Sequence, residues 1–384
     1  MRSLRSVAGL TLLFSASWGC GGSNTVENDA ATVVILPDAV TNESDAGVDA
    51  PTTPDAGPSL ATWEPAEVPA LLLRWGASVA PVGAGRFYLF AGFGASGGGT
   101  NDVLLVDTRG ATSAITAIPT TNAPPTRSRA CAAYDPVSQR LIIRGGRAGA
   151  SLNDGKTWAL DTTTNAWSEI DTDDSPPGIV GCSMTYVASD RAIYHFGGAF
   201  DDPSFDWSNQ LWRFDLETNT WSRVTTEGAA PSRGYDGQLA SHEGTLYLFG
   251  GGIGVGGDGI FGSDVYTFDV ASRRWSLLEV SGPRPDGRRG HWMLLSDDAQ
   301  RILIGGGEGS EGPLDDVWLF DRAGGTWRNL SSSVEEGRFD GRGIFGTVLP
   351  GPGDATATLY SGLTQPSAAP SEEAWVLRLR DITF

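Results

Sequence analysis

Short apolar runs that close on glycines dominate the chain from Leu60 onward. Leu246–Gly251 reads LYLFGG, an intervening segment follows, Ser263–Asp269 reads SDVYTFD, and Trp275 falls nine residues after Tyr266. Apolar runs this short, punctuated by Gly, Pro and Asp, predict strands rather than helices. Nearly the same phrase recurs along the chain. A fixed self-similar period sets the architecture before any site is considered.

The glycine pair, or its nearest equivalent, marks each unit: Ala91-Gly92, Gly145-Gly146, Gly197-Gly198, Gly250-Gly251, Gly305-Gly306 and a degenerate Ser361-Gly362. By subtraction, successive second members lie 52 to 56 residues apart. Each unit carries four strand signals, a to d. The aromatic of strand c and the Trp of strand d keep a spacing of nine in Trp158/Trp167, Trp212/Trp221, Tyr266/Trp275 and Trp318/Trp327. That constancy predicts a structural c–d turn, while the b–c segment is free to vary. The first unit departs from the pattern, with Leu104 and Ser113 at the two aromatic places.

These markers resemble kelch repeats, in the kelch and galactose-oxidase-like group, from Leu60 to the end. The resemblance implies an all-β, six-bladed kelch-type β-propeller with four antiparallel strands per blade. The units cover about 67–117, 118–170, 171–224, 225–279, 280–330 and 331–384. The last unit ends at Phe384 with no room for strand d, and Ala61-Thr62-Trp63-Glu64 is an orphan strand-d signal. Strand 60–66, around Trp63, is therefore expected to complete the sixth blade. Glycines would permit close backbone approach near the axis, and large aromatics would fill the wider wedge between blades.

Arg recurs ahead of strand a as Arg74, Arg127, Arg233, Arg288 and Arg342, with Ile179 in the third unit. By fold analogy these lie at one mouth of the channel, where five planar guanidiniums would suit carboxylates, sulfates or acidic peptides. The competing reading is a brace to an acid or amide just before strand c: Asp102, Asp154, Asn209, Asp264, Asp316 or Glu373. The b–c loops share that face. Phe200, Phe205, Trp207, Ile260 and Phe261 are apolar there, as contact anchors or as side chains folded back over the blade.

Other constellations point away from chemistry. Galactose oxidases hold copper with two Tyr, two His and a Tyr–Cys crosslink, whereas His195, His242 and His291 fall in different blades. Ser151–Trp158 resembles a sialidase Asp-box with Asn153 in place of Asp, itself a structural motif. The acidic run Asp201–Asp206 and Asp258 lack the spacing of an EF-hand Ca²⁺ loop, so no cofactor is assigned. Cys131 and Cys182 sit one register position apart on strand a of adjacent blades, where alternation points them to opposite faces, so two free thiols are expected.

Composition changes the picture chiefly at the N-terminus. Arg2 and Arg5, the apolar Val7–Ala16 and the small residues before Cys20 have signal-peptide layout over 1–19. Gly19-Cys20 resembles the lipobox of bacterial lipoproteins, which implies lipidation of Cys20, although Ser17 and Trp18 depart from that pattern. Residues 20–59, rich in Asp, Ala and Pro, read as a disordered tether. A formal charge of −19 argues against nucleic acid and against docking on anionic lipid, leaving the lipid as the only membrane contact. The expectation is an exported, monomeric binding protein for a protein or carbohydrate partner. It is placed at the outer membrane or cell surface, or else in the periplasm or secreted. The alternative is a sugar-processing enzyme, similar to kelch-type sialic-acid mutarotases.

Overall fold

Strand a runs along the channel in every unit and b, c and d follow outward, as the repeat demands. In this computed structural model the described residues are 61–67, 69–83, 85–94, 98–148, 151–152, 155–200, 207–232, 234–253, 259–331, 344–351, 357–360, 362 and 373–379. The chain separates into Met1–Asp55 and Ala56–Phe384, and all described residues belong to the second unit. The leader, Cys20 and the tether lie outside them, as do Asn153, Asp154, Phe205, Arg233, Asp258 and Arg342.

Strands a to d are Ser78–Gly83, Arg86–Phe90, Val103–Asp107 and Ala114–Ile118 in blade 1. Blade 2 has Cys131–Asp135, Arg140–Arg144, Thr157–Asp161 and Ala166–Ile170. Blade 3 has Gly178–Val187, Ala192–Phe200, Leu211–Asp215 and Thr220–Arg223. Blade 4 has Gln238–His242, Thr245–Phe249, Val265–Asp269 and Arg274–Leu277, with Glu227–Gly228 added in parallel at its outer edge. Blade 5 has Trp292–Leu295, Arg301–Gly305, Val317–Asp321 and Thr326–Asn329. Blade 6 takes Thr347–Pro350, Ala357–Tyr360 and Glu373–Leu379 from the C-terminal end and Ala61–Glu67 from the N-terminal end. The molecule is a six-bladed β-propeller with antiparallel four-stranded blades. The N-terminal strand closes the last one in the register Ala61↔Leu379 to Glu67↔Glu373.

The core is six cores, one between each pair of neighbouring blades. The strand-d Trp is the keystone of four of them, all buried. Trp275 lies 5.0 Å from Phe268 of its own strand c and 5.6 Å from Phe196 of blade 3. Trp327 repeats this with Phe320 at 5.0 Å and Phe249 at 5.3 Å, and Trp167 meets Phe90 at 5.2 Å. Rings of this size fill the wedge that widens away from the axis. In blade 1 the Trp place belongs to Ile115, which pairs with Val106 as Trp167 pairs with Leu160. Ser113 stands two residues before it, because the c–d connection of that blade is longer.

Candidate functional site

The d–a segments and b–c hairpins meet on one face, as the repeat anticipates: Trp75 pairs with Phe93, Ser128 with Arg147, Tyr235 with Gly252 and Arg289 with Glu308. Three of the arginines ahead of strand a are nonetheless inside the blades. Arg74, Arg127 and Arg288 are 6%, 0% and 0% exposed. Arg74 donates to the Ala91 carbonyl at 2.9 Å and forks onto Asp102 at 2.8 and 2.9 Å. Arg288 donates to the Gly306 carbonyl at 3.0 Å and forks onto Asp316 at 2.6 and 2.9 Å. Arg127 reaches the Gly145 carbonyl at 2.7 Å. Burial pulls the Asp102 carboxyl up, but hydrogen bonds from Arg74 and Thr100 together with the Arg74 charge leave its pKa lowered. These three are braces, and an open guanidinium ring at the mouth is not what the geometry gives.

The same contacts explain the glycine pair. Gly92 donates to the Arg127 carbonyl at 3.0 Å, Gly198 to Gly234 at 2.9 Å and Gly251 to Arg288 at 2.8 Å, each crossing to the next blade. A Cβ on Gly250 would stand 2.7 Å from the Arg288 carbonyl oxygen, and one on Gly197 would run into that of Gly234. Three expected assignments shift by one residue. Gly234, and not Arg233, holds the brace position of blade 4, and the pair of blade 5 is Gly306-Gly307, since Gly306 meets Asp316 as Ala91 meets Asp102. Gln210, and not Asn209, precedes strand c of blade 3, where it accepts from Trp212 Nε1 at 2.9 Å.

Two or three residues beyond each aligned position lies a feature that the sequence reading passed over. Gly76, Arg129, Gly181, Asp236, Gly290 and Phe345 form a closed circle of backbone hydrogen bonds, each N–H donating to the preceding member, with Gly76 donating to Phe345. All six are left-handed, with φ between 55° and 65°. Glycine alternates with a large residue for a steric reason. A Cβ on Gly76 would lie 2.9 Å from the Arg129 side chain, on Gly181 2.5 Å from the Asp236 carboxylate, and on Gly290 2.8 Å from the Phe345 ring. Arg129 forms a buried ion pair with Asp236, and its guanidinium stacks 4.8 Å from the Tyr235 centroid and 4.4 Å from that of Phe345. Side chains from blades 2, 4 and 6 thus meet across the axis. Left-handed Arg and Phe cost about 1–3 kcal/mol each and mark a place whose surroundings over-determine it. Behind the ring an axial cavity of about 830 Å³ runs between the inner strands toward the a–b hairpins.

Aromatic rings collar this closed mouth. Trp75 lies 5.1 Å from Phe93 and 5.9 Å from Phe345, all three half-buried. Arg289 sits 5.5 Å from Tyr235 and 5.7 Å from Phe261, and its charge is held by Glu308 at 2.6 Å. The centre of the face is therefore aromatic, with Arg129 and Arg289 paired to carboxylates. Phe261 belongs to the collar; Ile260 beside it is 69% exposed. Trp207 instead packs back on Val180, Ala199 and Tyr235.

The histidines stay apart, on strand b of blade 3, at the a–b hairpin of blade 4 and just ahead of strand a of blade 5. The expectation of free thiols fails. Cys131 and Cys182 form a disulfide with Cα atoms 5.7 Å apart. Neighbouring blades stack face to face, so a residue on blade 2's face toward blade 3 meets one on the opposite face of blade 3. The one-position offset is what the bridge requires. Both cysteines join the core shared by those blades.

Residues 158–343 match the KLHDC2/KLHL20/DRC7 Kelch-repeats domain. The chain is also 31% identical over 192 residues to the Leucine-zipper-like transcriptional regulator 1 homolog of Drosophila melanogaster, covering 47% of this chain and 18% of that protein. It is 29% identical over 176 residues to the Serine/threonine-protein phosphatase BSL2 of Arabidopsis thaliana (42% and 17%). It is 26% identical over 178 residues to the Kelch domain-containing protein 10 of Xenopus tropicalis (45% and 42%). The chain spans less than half the length of each of these relatives. Repeat, register and matched segment agree: this chain is a six-bladed β-propeller, and its segment 158–343 is similar to kelch repeats.

Proposed function

We propose that this is an exported, Cys20-anchored, monomeric binding protein whose loop face docks a protein partner through the aromatic collar. The carrying observation is the collar itself. Trp75, Phe93, Phe345 and Phe261, with the protruding Ile260, surround arginines already neutralised by Asp236 and Glu308. Aromatic side chains on a rigid scaffold supply contact energy with little ordering cost, whereas paired arginines offer little to an anion. Docking of this kind needs no cofactor. The chain enters the propeller at Ala61, beside Leu379, where strand c of blade 6 ends on the a–b hairpin side.

The test uses the full chain with Cys20→Ser. Peptides selected by it from a displayed library should bind at least about tenfold more weakly to Ile260→Asp and Phe261→Ala, hot-spot losses of the usual size, with melting temperatures unchanged. Peptides that bind all three proteins alike, or selection of glycans and no peptides, would remove the protein-docking reading. Palmitate labelling in cells should be lost in Cys20→Ser; labelling that persists would remove the anchor.

A further inference from the structure

The Cys131–Cys182 disulfide has a third neighbour that a simple staple does not need. A ring nitrogen of His195 and the two sulfurs all lie within 4.8 Å of one another. His195 stands on strand b of blade 3, 1% exposed, its ring 5.9 Å from Trp221 and perpendicular to it. Both cysteines line the axial cavity, Cys131 buried and Cys182 half-buried, so the bridge borders the channel.

Two sulfurs and one imidazole nitrogen, drawn from adjacent strands of two rigid blades, make a Cys₂His ligand set. That set suits a thiophilic cation of the zinc class, with the cavity side left for water. Sulfur at about 2.3 Å and nitrogen at about 2.0 Å from such an ion are separations that ligand atoms already clustered this closely reach with small rotamer changes. We propose that Cys131, Cys182 and His195 form a redox-gated metal site. Oxidised, the sulfurs are bonded to each other and blades 2 and 3 are clasped covalently. A reductant, a dithiol in a cell or a phosphine in the test, supplies two electrons and cleaves the S–S bond, and two protons complete the thiols. On metal binding both thiols release their protons to solvent and bind as thiolates, and neutral His195 donates a nitrogen lone pair. The ion then replaces the S–S bond as the link between the blades.

The probe is Co²⁺, added to the full chain carrying Cys20→Ser so that these are its only cysteines. The oxidised protein should bind none at this site. After phosphine reduction it should bind one ion per chain, with near-ultraviolet sulfur-to-cobalt absorption and the strong visible bands of tetrahedral cobalt. His195→Ala should weaken binding about tenfold or more, the size expected for lost metal-site contacts, and change the visible bands while the sulfur-to-cobalt absorption persists. His195→Gln guards against a packing effect and should show the same loss. Absence of sulfur-to-cobalt absorption in the reduced chain overturns the site. So do affinity and bands unmoved by either His195 variant, or unfolding of the chain on reduction in the presence of Co²⁺.

Discussion

A single buried imidazole shows how residue-scale chemistry sets a property of the whole domain. His291 follows the ring residue Gly290, is 3% exposed and stands edge-on to Phe249 at 5.3 Å. Burial, and then the nearby Arg288 charge, push its pKa well below the ordinary 6.5. The fold therefore keeps it neutral. Above pH 6.5 folded and unfolded chains carry the same charge there, and no stability depends on it. Below 6.5 the unfolded chain takes up a proton that the folded chain refuses, so stability falls as pH falls, by at most about 1.4 kcal/mol per pH unit. Melting temperature should drop between pH 7 and pH 5, and His291→Leu should flatten that drop. Equal slopes for the two proteins would show that another group carries it. Residue-scale roles were only half legible in the sequence. Arg288 and Asp316 were visible as a possible pair, but whether the guanidinium faced solvent or its own blade depended on the Gly306 carbonyl, which pattern alone does not place.

At the scale of elements, the repeat announced strands and their order, and the structure follows it into every blade. What it withheld were relations between elements of different blades. The Cys131–Cys182 bridge follows once blades are known to stack face to face; alternation within one strand points the other way. The mouth ring was also within reach. Reading on from the aligned positions gives Gly76, Arg129, Gly181, Asp236, Gly290 and Phe345, an alternation that only a closed circle makes meaningful. The ring predicts unequal costs for one substitution. Gly181→Ala puts a Cβ 2.5 Å from the Asp236 carboxylate and 2.7 Å from the Tyr235 ring, at φ +65°. Left-handed backbone and overpacking together should cost about 2–4 kcal/mol in denaturant unfolding. Gly98→Ala, with nothing within 4 Å of the added carbon, should stay within about 0.5 kcal/mol. A neutral Gly181→Ala would mean that the circle is not a constraint on the fold.

For the molecule as a whole, the ring of blades has one seam, and it was readable because Trp63 stood in a strand-d phrase with no strand c before it. Every other blade is continuous in sequence, so its four strands are held together even when the ring opens. Blade 6 alone joins the two ends of the propeller, through Ala61–Glu67 against Glu373–Leu379, and its outer strand is tied to the rest only by pairing and packing. Opening there exposes the edge of strand c and both flanking cores at once, which makes the seam the place where global unfolding should begin. Ala66 stands directly opposite Ala374. A cystine at these two positions closes a loop around almost the whole propeller, where chain-entropy stabilisation is largest, on the order of 4–5 kcal/mol. In the Cys20→Ser background, the oxidised double variant Ala66→Cys/Ala374→Cys should unfold about tenfold or more slowly than either single variant, because a link absent from the opened transition state lowers the unfolding rate. The single variants are the proper reference, since reduction would also break the Cys131–Cys182 bridge. Equal unfolding rates would place the first opening elsewhere in the ring, at an interface other than that of blades 2 and 3, which is the only one among the described residues with a covalent clasp of its own.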